Sequence, residues 1–172
     1  MIELLKQIEK EDLRKLLSNL SLWQTLDVDY YPPRVERLWL QYDDNHRLFI
    51  HKIHHTDAPC LYHKHRWEAA FKILKGEYEM GITYCENEIS SEEAYKLKDI
   101  SRFIIAKGSY YEMRNTHTLH YVKPLGDYSI SLMLTGNLYP EERHEILDKK
   151  LQPLSKLRKL QIAKEVLDLL DK

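Results

Sequence analysis

The residues CLYHKHRWEAAFKILKGEYEMGI, 60–82, constrain the fold of this chain more than any other stretch. On an extended backbone every second side chain points the same way. His63, His65, Trp67, Ala69, Phe71 and Ile73 then share one face. A face that begins with two histidines and continues apolar is an interior, not a solvated exterior. Two imidazoles one residue apart on a strand can converge on a single ion, each giving a neutral ring nitrogen at about 2.0–2.1 Å for zinc. KGE at 75–77 has turn chemistry, and YEMGITY (78–84) returns as a second strand.

The same period of two starts at Val35. In VERLWLQY one alternate set is Val35, Arg37, Trp39 and Gln41, and the other is mostly Leu38, Leu40 and Tyr42. DDNH (43–46) is a turn, and RLFIHKIHH follows as the other arm of a hairpin. RFIIAKGSYYEM, THTLHYVKP and DYSISLMLTG add further strands, while CENEISSEEAYKLKDIS reads as a loop or an interrupted strand pair. Both ends change to helical spacing. Ile2, Leu5, Ile8, Leu13, Leu16, Leu17 and Leu20 recur mostly three and four apart, and Leu157, Leu160, Ile162, Val166 and Leu169 form a broad stripe in the tail. Proline in YYPP (30–33) stops the first helical stretch. The expectation is a mainly β fold, an antiparallel β-barrel or jelly roll with N- and C-terminal helices. Residues 1–172 then make a single domain, with a helical segment over 1–33, the β region over 34–136 and a helical segment over 137–172.

Charge and composition exclude several function classes. With 26 basic and 27 acidic residues the formal net charge is -1, which gives no electrostatic footprint for nucleic acid. Apolar runs such as ISLMLTG fall far short of the roughly 20 residues needed to span a bilayer. The opening MIELLKQIEKEDLRKLL carries acidic residues on a helical period and does not read as a secretory signal, so the chain is expected in the cytoplasm. Cys60 and Cys85 are expected as free thiols. The distinctive feature is histidine. His46, His51, His54, His55, His63 and His65 crowd one short stretch, which points to metal.

At these residues the sequence resembles the cupin superfamily. The first motif of that family runs histidine, one residue, histidine, three or four residues, glutamate, six residues, glycine. HKHRWEAAFKILKG supplies His63, His65 and Gly76. The second motif starts with glycine and places one more ligand histidine on a later strand. KGSYYEMRNTHTLHYVKPLG offers Gly108 and then His117 or His120. The resemblance covers about residues 35–136 and implies a barrel whose interior holds one divalent transition metal, Fe(II) first, with Zn or Ni as alternatives.

Two departures from the family pattern matter. The glutamate position falls on Ala69, and the available carboxylate, Glu68, lies one residue off. Strict alternation turns Glu68 away from the histidines, whereas a β-bulge would bring it back as a fourth ligand. Without it, the resemblance implies the three-histidine arrangement of the thiol dioxygenases within the superfamily. The third histidine is the other departure: His120 fits the end of the motif best, and His117, three residues earlier, would face the opposite side of the strand.

The expected ligands are therefore His63, His65 and His120, with Glu68 as a candidate fourth and His117 as the alternative to His120. Arg47, Arg114 and Tyr128 are candidates for binding a substrate carboxylate. His51, His54 and His55 are expected at a solvated strand end, His54 being the one placed to line a pocket. The function the resemblance implies is a metal-dependent enzyme, first a non-haem iron dioxygenase acting on a small polar molecule. The alternative is a ligand-binding or regulatory domain without chemistry. Apolar stripes at both ends lead to the expectation of a homodimer.

Overall fold

Strand pairing divides the β residues into two antiparallel sheets. The computed structural model describes residues 1–29, 31–86, 91–94, 96–115, 117–138 and 152–171. The larger sheet has six strands in the order β1 (Gln24–Val28), β2 (Val35–Gln41), β3 (Arg47–His54), β10 (Tyr128–Leu138), β5 (Trp67–Lys75) and β8 (Tyr110–Met113). The smaller has four, in the order β4 (His63–Lys64), β9 (Thr118–Pro124), β6 (Glu77–Tyr84) and β7 (Ser101–Ala106). Every neighbouring pair is antiparallel.

The class is β, as the alternation predicts, but the expected barrel is not closed. Among the described residues no strand ladder joins one sheet to the other. The sheets face each other instead, and Ile53 and Ile73 of the larger pack against Tyr78, Met80 and Val122 of the smaller.

The two faces of the larger sheet do different work. Odd-numbered residues of its central strands (Phe49, His51, Ile53; Ala69, Phe71, Ile73) look toward the smaller sheet, while Leu38, Leu40, Leu48, Ile50, Ala70, Leu74, Ile130, Leu132 and Leu134 form the opposite face. That opposite face is covered by helices. Leu5, Ile8, Leu13 and Leu17 come from the N-terminal run α1 (Ile2–Gln7), a π-helical turn (Ile8–Asp12) and α2 (Leu13–Ser18). Ile162, Ala163 and Val166 come from the C-terminal helix, Lys156–Leu170. Each fully buried Leu or Ile in this layer contributes about 1.5–3 kcal/mol, so the helices complete the core.

Three boundaries differ from expectation. β1 lies inside the stretch expected to be helical up to residue 33, because the helical residues end at Leu22 and the chain then pairs with β2. β10 continues to Leu138, past the expected start of the C-terminal helical segment. The expected helical residues 139–151 lie outside the described ones. One short helix, α3 (Ser91–Ala94), interrupts the loop expected after β6, so the C-terminal helix is α4. No helix of the described residues is long and apolar enough to cross a membrane.

Candidate metal centre

The small sheet brings the distant histidines together by register. His63 and His120 are direct partners across β4 and β9. His65 follows β4 and turns to the same side, its ring centroid 4.9 Å from that of His120 and 5.6 Å from that of His63. One ligand atom from each of the three lies within 4.8 Å of the others. His65 Nε2 and His120 Nε2 are 2.9 Å apart. Two nitrogens bound at right angles to one ion at about 2.1 Å are separated by about 3 Å, so this spacing suits a shared metal.

The outer nitrogens orient the rings. His63 Nδ1 donates to the backbone carbonyl of Leu61 at 3.2 Å, and His120 Nδ1 points at the Met80 sulfur at 3.5 Å. Neither acceptor can give a proton, so in both neutral rings Nδ1 carries the hydrogen and Nε2 keeps its lone pair. Burial pushes all three imidazoles below their ordinary range. His65 falls to about 3, with His63 and the Arg37 charge adding to the effect of burial. The rings are therefore neutral at physiological pH, the form that binds metal. His120 is 2% exposed, while His63 and His65 keep partial exposure, which leaves a way in from solvent.

The surrounding wall is aromatic and apolar. Phe71 meets His65 edge-on at 5.4 Å and stacks on Tyr111 at 4.5 Å. Tyr111 and Tyr78 share a hydroxyl–hydroxyl hydrogen bond of 2.7 Å. Phe49, Ala69, Met113 and Met133 pack beside them. The expected sharing of one face by Trp67, Ala69, Phe71 and Ile73 holds in the structure.

Several candidates fall elsewhere. Glu68 is exposed on the other side of β5 and does not join the histidine group. The β-bulge that would bring it inward is absent there: the irregularity opposite Trp67–Ala69 lies in β10, between Thr135 and Leu138. His117 is exposed in the turn before β9, with its ring near Tyr84 at 5.8 Å. His120, not His117, is the third member of the cluster. Arg114 makes an exposed ion pair with Glu112, which also binds the N-terminal amine on the helix side. Tyr128 lies on the helix side too, against Lys52, Lys75 and Glu165. Neither Arg114 nor Tyr128 faces the histidines, so the carboxylate-binding role expected of them does not fit. Arg47 is on the inner face, stacked over Trp67 at 4.8 Å.

The expectations for the β3 histidines also change. His54 does not line a pocket; its Nε2 contacts Glu36 at 2.7 Å on the helix side. His55 meets the Pro124 carbonyl at 2.9 Å. His51, expected at a solvated strand end, is only 7% exposed, and its Nε2 has no hydrogen-bond partner. Burial, with Arg37, His65 and His63 nearby, holds it well below its usual range. The signal for this position was its parity with Phe49 and Ile53.

No family model matches the chain, and no curated protein matches it in sequence. Solved structures that it is similar to include the EutQ protein of Clostridium difficile, at 10% identity and a TM-score of 0.46, covering 64% of this chain and 75% of that one. Hydroxypropylphosphonic acid epoxidase from S. wedmorenis is similar at 15% identity and a TM-score of 0.48, covering 68% of this chain and 56% of the epoxidase. KdgF from Halomonas sp. is similar at 15% identity and a TM-score of 0.43, covering 67% and 87%. By its own strand pairing and histidine placement, the chain has the facing sheets and the interior triad that a resemblance to the cupins implies.

Proposed function

We propose that this protein is a metal-dependent enzyme in which His63, His65 and His120 hold one divalent transition metal, and that it works as a non-haem iron dioxygenase on a small polar molecule. The observation that carries this reading is the convergence of three neutral imidazoles, with no carboxylate in the group, inside an aromatic interior. When bound, the metal supplies coordination positions that the protein does not fill, and as iron it supplies redox chemistry with dioxygen.

The chain's own residues do the rest. The Leu61 carbonyl and Met80 hold His63 and His120 with Nε2 inward. Phe71, Tyr111, Phe49 and Met133 exclude water around the reacting groups, which strengthens electrostatic contacts there. Partial exposure of His63 and His65 admits a small molecule rather than a polymer segment.

Metal analysis of protein prepared without chelator tests the first part, with about one divalent metal per chain expected. Anaerobic loading with Fe(II) followed by nitric oxide tests the second, because nitric oxide reports an open position through a half-integer-spin EPR signal. Metal uptake without any nitrosyl signal would remove the dioxygenase reading. No metal uptake at all would turn the reading to a ligand-binding domain without chemistry.

A further inference from the structure

The inner face of the larger sheet carries one polar row in otherwise apolar surroundings. The register aligns Arg37 on β2 with His51 on β3, His51 with Ser131 on β10, and Ser131 with Ile73 on β5. The adjacent row, about 6–7 Å along the strands, is Trp39, Phe49, Met133, Phe71 and Tyr111. Phe71 in that row touches His65, so the polar row stands beside the metal centre.

Both polar side chains point into the interior. The Arg37 guanidinium carbon lies 5.6 Å from the centroid of the Phe49 ring, and the His51 ring lies 5.8 Å from the same ring. After burial, the positive charge of Arg37 contributes to holding His51, His63 and His65 below their ordinary range, which places the guanidinium within electrostatic reach of all three. His51 is 7% exposed and its Nε2 meets no hydrogen-bond partner. Buried polar atoms of this kind are rare unless a ligand uses them. A guanidinium offers a forked donor pair that matches a carboxylate, and a neutral imidazole beside it can add one more hydrogen bond.

We propose that Arg37 and His51 form a carboxylate subsite beside the histidine triad, so that the substrate of this centre is a small carboxylic acid with a second donor group for the metal. This rests on the metal-binding reading above. It assigns substrate orientation to Arg37 and His51 in place of Arg114 and Tyr128.

Cobalt-loaded protein separates the two ideas, because its visible spectrum reports ligands entering the metal's coordination. The probes are 4-methylimidazole, imidazole-4-acetate and imidazole-4-propionate, which share a metal-binding ring and differ in the carboxylate and its reach. The wild-type protein should bind one of the two acids about tenfold more tightly than 4-methylimidazole. Arg37→Gln should abolish that preference while cobalt content and 4-methylimidazole affinity stay as in the wild type, and Arg37→Lys should restore part of it. His51→Gln should reduce the preference by a smaller factor. Cobalt uptake with equal affinity for all three probes would overturn the carboxylate subsite alone, as would a preference that survives in Arg37→Gln. Failure of the wild-type protein to take up cobalt would overturn the metal reading beneath it.

Discussion

His63 and His120 face each other as a register pair across β4 and β9, with ring centroids 4.6 Å apart. Backbone pairing therefore sets their separation, and the third histidine need only follow from the same strand end. His117, three residues before His120, is carried out to solvent by the same pairing. His120→Ala should weaken metal binding more than about tenfold, while His117→Ala should leave it within about twofold. Metal content after dialysis against a graded chelator measures both. Equal losses from the two substitutions would mean that the ion sits elsewhere.

A second expectation concerns the carboxylate. Glu68 points out of the sheet, and Ala69, which occupies the inward position, is fully buried. Glu68→Gln should leave metal affinity and the cobalt spectrum unchanged. A spectral change of the kind produced by losing an oxygen ligand would show that β5 shifts register when metal binds.

The triad was legible in the sequence because each part of the signal is local. His63 and His65 sit two apart, and the alternation through Trp67, Ala69, Phe71 and Ile73 declares which side is interior. His51 was not legible in the same way. β3 is buried on both faces, since the helices cover one side and the smaller sheet the other. Alternation of polar and apolar residues then loses its contrast, and RLFIHKIHH reads as a strand with a wet end. β1 was hidden for a different reason: QTLDV is a short edge strand whose pairing depends on β2, not on its own pattern. The open arrangement of the sheets likewise depends on which strand ends meet, and side-chain periodicity does not encode that.

The C-terminal helix should come loose in acid. Arg158 binds the Glu36 carboxylate with two hydrogen bonds of 2.6 and 2.5 Å, and His54 adds a contact of 2.7 Å. Burial raises the Glu36 carboxyl, but these partners outweigh it and hold it at about 2. Glu165 on α4 is held at about 2 against the same effect of burial by Lys52, Lys75 and Tyr128. A carboxylate at about 4.3 in the unfolded chain and about 2 in the folded one contributes on the order of 3 kcal/mol. That contribution is complete above about pH 5 and is lost as pH falls toward 2. Hydrogen exchange of the α4 amides should therefore accelerate between about pH 5 and pH 3, and Glu36→Gln with Glu165→Gln should remove most of that dependence. An unchanged pH slope in the double variant would show that these two carboxylates do not hold the helix.

Gly76 closes the turn between β5 and β6 with φ at 71°, a conformation that favours glycine. A Cβ there would also lie 2.9 Å from the Tyr128 backbone oxygen. Strain and close contact act together, so Gly76→Ala should destabilise the fold by about 1–3 kcal/mol, read by urea unfolding. A loss within experimental error would mean that the turn relaxes, and the packing of Tyr128 against Lys52 and Glu165 should then move with it.

The last prediction concerns assembly. The stripe expected on α4 divides in the structure: Ile162, Ala163 and Val166 are buried against the sheet, while Leu157 and Leu160 remain 65% and 53% exposed. Those two leucines are three residues apart, adjacent on the helix surface, and neither belongs to the core packing. Phe103 and Ile104 on the edge strand β7 are exposed as well. An edge strand and an apolar helix stripe are the kinds of surface that a second copy covers, and two-fold pairing is the commonest closed arrangement. Sedimentation at micromolar concentration should show a homodimer. Leu157→Glu with Leu160→Glu should give a monomer if the helix forms the interface, and Ile104→Lys should do so if the β7 edge does. In each case the helical circular dichroism should be unchanged, because these side chains lie outside the core. A wild-type species of 20.7 kDa would show that the helices only cover their own sheet and that the exposed leucines need no partner.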